Sequence, residues 1–175
     1  VLSEIRNDKK DSPKTRSKSI KSKNKIFIVH GHDNELKIEV ARLIEQLQIE
    51  AIILHEQVNK GKTIIEKIEE YSDVGFAIIL YTPCDVGLKK SDLPDEIKKS
   101  DLKDRARQNV VFEHGYMMSK LGRDRVHALQ KGSIDTPSDL GGIVYNSYDN
   151  GGAWKYKIAN ELKAAGYTID LNLIK

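Results

Sequence analysis

Only one cysteine, Cys84, occurs in the 175 residues, so no internal disulfide can form. Such cysteine usage suits a reducing, cytoplasmic compartment. No run of about 18 apolar residues is present, which leaves no candidate for a membrane-crossing helix. The chain does not open with a charged stretch, an apolar stretch and a small-residue cleavage site, so no secretory signal is visible. What remains is ample for one domain: 39% of the residues are hydrophobic and 31% charged, within the range of an ordinary folded chain of about 100–200 residues.

The net charge of +3 conceals an asymmetry. Residues 1–25 hold nine basic groups against three acidic ones, a balance of +6, so the remainder carries −3. This basic segment is rich in Ser and Lys and has no periodic apolar face. Residues 1–24 therefore read as a flexible tail or linker. Clustered Lys can neutralise phosphates, but no aromatic residue is interleaved and no binding motif follows. A solvated tail is the better reading than a nucleic-acid arm.

From Lys25 onward, strand and helix patterns alternate. Lys25–His30 (KIFIVH) is a short β-branched run suited to a buried strand. Leu36, Val40, Leu43, Ile44 and Leu47 then recur at helical spacing. Ala51–Leu54 predicts a second strand and Ile64–Tyr71 a second helix. Val74–Tyr81 is apolar without alternation, as a central strand covered on both faces must be. A third helix is predicted over Arg107–Leu121, with strands at Val126–Gln130 and Ile143–Tyr145. Trp154, Ile158 and Leu162 form the apolar stripe of a last helix, which Gly166 would stop; this makes Trp154 a core residue rather than a stacking platform. The pattern predicts a three-layer, flavodoxin-like α/β domain over residues 25–175, with a central parallel sheet of about five strands. Ligands of such sheets bind outside the carboxyl ends of the strands. The segments after His30, Leu54 and Tyr81, and the start of the third helix, are thus the candidate loops. The long connection Thr82–Asp104 is either a lid or surface decoration with a short helix near Asp95–Lys99.

Glu113 is the leading candidate for chemistry. Its helical neighbours three and four positions away are Asn109, Val110, Tyr116 and Met117, so the carboxylate sits beside the packed face. A carboxylate there costs free energy unless it is paired or used. The pattern alone leaves two readings open: a structural pair with Arg105, Arg107 or His114, or a functional acid. Gly31-His32-Asp33, between a strand and a helix, is either a turn with its cap or an anion-contacting loop.

The blocks IFIVHGHD (26–33), ILHEQ (53–57), GKTIIE (61–66), DVGFAIIL (73–80) and RQNVVFEHG (107–115) together resemble the TIR-like domain of bacterial effectors in cyclic-nucleotide-triggered antiphage systems. The likeness continues through Leu121-Gly122, PSDLGG (137–142) and Ala153-Trp154-Lys155. The resemblance implies a TIR-like NAD+ hydrolase that cleaves the nicotinamide–ribose bond. Glu113 would be its catalytic carboxylate, and His30, Gly31, His32, Asp33, Arg107 and Asn109 would contact the substrate. It implies no bound cofactor, since NAD+ enters as substrate. It also implies self-association through neighbouring TIR domains and a cyclic-nucleotide sensor module, expected upstream of Val1. A non-catalytic nucleotide-binding or assembly module, or a deoxyribosyltransferase-like enzyme, is the rival reading.

Other signals carry less. His30, His32, Asp33, His55 and Glu56 contain zinc-ligand types but lack a metallohydrolase spacing, so no metal is expected. In Gly61-Lys62-Thr63 the first glycine of a P-loop would fall at Glu56, so this is no Walker motif. Cys84 has no assignable histidine and reads as an inert thiol.

Overall fold

The computed structural model describes residues 24–58, 60–137 and 143–175. Residues 1–23, nearly all of the basic segment, and 138–142 of the PSDLGG block lie outside them. The apolar runs become strands: β1 (Lys25–Val29), β2 (Glu50–Ile53), β3 (Phe76–Tyr81), β6 (Val126–Gln130) and β7 (Tyr145–Ser147). Their order in one sheet is β2-β1-β3-β6-β7, and every neighbouring pair is parallel. This is the doubly wound 2-1-3-4-5 order, in which the chain reverses its direction of travel between β1 and β3. Ile28 stands opposite Ile53 on one side and Ile78 on the other, so β1 is paired along both edges. All six residues of β3 are buried, because helices cover both of its faces.

Four helices follow the predicted periodicities: α1 (Asn34–Gln46), α2 (Ile64–Tyr71), α3 (Gln108–Leu121) and α4 (Ala153–Ala164). Asp33 caps α1 by accepting from the Leu36 N–H at 2.9 Å. Thr63 and Glu66 form a capping box at α2, satisfying backbone groups that a helix start otherwise leaves unpaired. Side chains alternate across the sheet. Ile26, Ile28, Phe76 and Ile78 pack with α1 and α4, while Phe27, Val29, Ala77 and Ile79 pack with α2 and α3. Trp154 is fully buried in the first of these cores.

The last strand begins two residues later than the run Ile143–Tyr145 suggested. β7 is an edge strand with one partner, and its place is set by pairing Tyr145 with Ala128, not by an apolar run of its own. The connection after β3 holds a small antiparallel pair, β4 (Asp85–Gly87) with β5 (Lys103–Arg105). The expected helix near Asp95–Lys99 is not formed; single 3-10 turns at Lys90–Asp92 and Lys99–Asp101 flank that stretch.

Candidate active site

At the carboxyl ends of β1 and β2 the first turns of α2 and α3 close around a cavity of about 130 Å³. Its wall is made by His30 after β1, Leu54 and His55 after β2, Ile64 and Lys67 of α2, and Arg107, Asn109 and Glu113 at the start of α3. The structure thus brings together four of the residues singled out from sequence: His30, Arg107, Asn109 and Glu113. Gly31, His32 and Asp33 are not among those lining this cavity. His55 and Lys67 are, and neither is among the substrate contacts that the resemblance implies. In the sequence His55 stands out only as a zinc-ligand type within the ILHEQ block, and Lys67 only as one charge among several on α2.

Glu113 is mostly buried, and that burial pushes its carboxyl up to about 7, with the nearby Arg107 guanidinium pulling the other way. Among the described residues it forms no hydrogen bond or ion pair. Of its possible structural partners, Arg107 lies near it without an ion pair among the described residues, and the other two are engaged elsewhere. Arg105 donates to Asp135 from Nε at 3.0 Å and from Nη2 at 2.8 Å. His114, one residue further along the helix and therefore turned by about 100°, is buried with Nδ1 2.8 Å from the Tyr81 hydroxyl. Burial pushes His114 down to about 4, so its ring is neutral.

His30 contributes a fixed tautomer. Its Nδ1 lies 2.7 Å from the Gly31 carbonyl oxygen, which can only accept, so Nδ1 carries the proton. Nε2 is left as a buried lone pair with no partner among the described residues. Burial lowers the pKa of His30, as does the neighbouring His55, whose ring centroid lies 5.2 Å away. His55 is also held below its ordinary value, by burial first and then by Arg107, Lys37 and Lys67. Among the described residues no three His, Cys, Asp or Glu side chains are grouped to hold a metal ion.

The Gly31–Asp33 loop forms the shoulder of the site. Asp33 accepts from Lys131 Nζ at 2.8 Å besides capping α1. The His32 N–H donates to Cys84 Sγ at 3.2 Å. A Cβ on Gly31 would collide with that same sulfur, so the loop closes onto Cys84 because residue 31 has no side chain. Gly31→Ala is expected to cost about 1–3 kcal/mol, as overpacked sites do. Adding Cys84→Ala should recover part of that loss, which urea denaturation of the four chains of the double-mutant cycle would measure. Additive losses would show that the two residues do not meet.

A doubly wound parallel sheet in the 2-1-3-4-5 order, with helices on both faces, defines a flavodoxin-like α/β domain. The chain belongs to the TIR domain family of CAP12/Pycsar effector proteins, whose model matches residues 25–150. It is 50% identical over 147 residues to the uncharacterized protein YuaY of Escherichia coli (strain K12), a match that covers 83% of this chain and 47% of YuaY. It is 39% identical over 133 residues to protein tirC of Dictyostelium discoideum, covering 71% of this chain and 64% of tirC. The chain thus spans about half the length of the first relative and less than two thirds of the second. No helix among the described residues is long and apolar enough to cross a membrane.

Proposed function

We propose that this domain hydrolyses the nicotinamide–ribose bond of NAD+, as the effector part of a bacterial antiphage protein. The observation that carries this reading is Glu113: an unpaired carboxylate on the wall of a cavity at the sheet's carboxyl edge, dehydrated enough to titrate at about 7. The C1′–N bond breaks with its electron pair passing to the pyridinium nitrogen, so nicotinamide leaves neutral and needs no general acid. Positive charge collects on the ribose as an oxocarbenium ion, which a carboxylate stabilises most in a poorly hydrated site. Water then adds to C1′ and releases a proton, leaving ADP-ribose. His30, Arg107 and Asn109 are the substrate contacts in this reading. The exposed apolar side chains of Ile64, Ile65 and Phe112, beside the cavity on α2 and α3, suit assembly with further copies. A sensor module elsewhere in the full-length protein would control that assembly.

The test is to incubate concentrated protein with NAD+ and follow free nicotinamide. Because the ionised form of Glu113 does the work, kcat/KM should rise through about pH 7 and level off above it. A concentrated or clustered protein that releases no nicotinamide between pH 6 and 9 would leave the non-catalytic binding module as the surviving reading. Cleavage of deoxynucleosides in place of NAD+ would turn the assignment to a deoxyribosyltransferase.

A further inference from the structure

Lys67 occupies an unusual position for a lysine. It is 5% exposed, one of few charged residues in the interior, and lysines are almost never so buried unless paired. No carboxylate pairs with it among the described residues. Its Nζ donates to the Gln57 carbonyl at 3.0 Å, a neutral acceptor that satisfies one of three N–H groups. Arg107, on the same cavity wall, likewise has no ion pair or side-chain hydrogen bond among the described residues. Both cations lie close enough to His55 to disfavour its protonation, together with Lys37. Lys37 is itself paired with Glu56 at 3.4 Å. Arg107 also faces the Glu113 carboxyl, whereas Lys67 has no carboxylate partner among the described residues; two cations thus stand near His55, beside the Leu54–Gln57 turn, against a single carboxylate.

The start of α1, which the sequence suggested for an anion, is already supplied with negative charge. Asp33 takes the Leu36 N–H and binds Lys131. A phosphate there would face a carboxylate. The cavity wall instead carries two cations, Lys67 and Arg107, against the single carboxylate of Glu113, an excess of positive charge.

From this we infer that Lys67 and Arg107 form an anion subsite of the cavity, which takes the diphosphate of a nucleoside diphosphate-containing ligand while Glu113 faces its ribosyl carbon. The inference rests on the proposed cleavage of NAD+ and deepens it by naming where the phosphates sit. Lys67 acts as a positioning residue. Its ammonium loses less by desolvation when a phosphate replaces water, and the contact fixes the distance from diphosphate to C1′. The Gln57 carbonyl holds the ammonium in place before the ligand arrives.

Two measurements test this with the whole chain. In the first, ADP-ribose and inorganic pyrophosphate are titrated calorimetrically into the parent, Lys67→Met and Lys67→Arg. Lys67→Met is expected to weaken ADP-ribose binding about tenfold or more, the scale of a charge-assisted hydrogen bond, and Lys67→Arg to restore most of it. Pyrophosphate should compete with ADP-ribose on the parent. In the second, kcat/KM is compared for NAD+ and for nicotinamide riboside, which lacks phosphate. The ratio of the two should fall about tenfold or more in Lys67→Met, whereas damage to the fold lowers both values together and leaves the ratio where it was. Equal affinity of the parent and Lys67→Met for ADP-ribose, or no binding of either phosphate probe to the parent, overturns the subsite. A parent that binds ADP-ribose through Lys67 yet cleaves neither substrate keeps the subsite and removes the hydrolase.

Discussion

Glu113→Gln is expected to reduce nicotinamide release by about 100-fold or more, the usual scale for removing a charge aimed at a developing ion. The substitution keeps the shape and most of the hydrogen-bonding capacity of the side chain. What it removes is the negative charge. Of the eight residues lining the cavity, Glu113 is the one carboxylate, so no neighbour can take over. The loss should fall on kcat more than on KM, because ribose becomes cationic only on the way to the transition state. Glu113→Asp, which keeps the charge but retracts it, should fall between the two. The measurement is nicotinamide release at pH 8, with the protein concentrated enough to assemble. Equal rates for the parent and Glu113→Gln would remove this residue from the mechanism.

The same substitution should stabilise the fold. Burial raises the Glu113 carboxyl from 4.5 to about 7. Between those values the native chain keeps a proton that the unfolded chain has released, so stability falls as pH rises through this window and stays lower above it. Glutamine carries no such penalty. Glu113→Gln is therefore expected to be more stable than the parent at pH 8 by roughly 3 kcal/mol, and about equally stable at pH 4. His114 and His127 act with the opposite sign. Burial pushes both down to about 4, so acidification below the ordinary histidine range protonates the unfolded chain first and weakens the fold. With Glu113 replaced, stability should climb from pH 4 to about 6.5 and then level off, while the parent stays flatter. Urea midpoints across pH 4–8 would measure this. A Glu113→Gln chain no more stable than the parent at pH 8 would mean that the carboxylate is not dehydrated in the native state, and the mechanism would lose its premise.

Both expectations describe one trade. In the proposed hydrolase a carboxylate held out of water gives up stability for chemistry, and such conflicts cluster where proteins function. His114, beside Glu113 in the chain, faces away from the cavity. The helix turns it into the core against Tyr81.

Much of the fold was legible residue by residue. The 3.6-residue recurrence of Leu36, Val40, Leu43 and Ile44 marked α1, and the span Ile64–Tyr71 matches α2. The unalternating run ending at Tyr81 identified a strand buried on both faces, and β3 lies at the middle of the sheet. Glu113 stood out because its helical neighbours are apolar. The antiparallel pair β4–β5 was not legible, since Asp85–Gly87 and Lys103–Arg105 are far apart in sequence and neither alternates. The edge strand β7 was read two residues early for the same reason: its register comes from β6.

Local chemistry written along the chain determined the elements, their parallel alternation and the one acid set against an apolar helix face, because these depend on neighbours within a few residues. The tertiary structure alone decided the strand order, the pairing of His30 with His55 and the company Lys67 keeps. Lys67 reads on α2 as an ordinary solvated charge. It becomes a buried, unneutralised cation only when the Leu54–Gln57 turn folds over it and α3 brings Arg107 and Glu113 to the same cavity. Burial and electrostatic company are properties of contacts between distant segments, and no local pattern carries them.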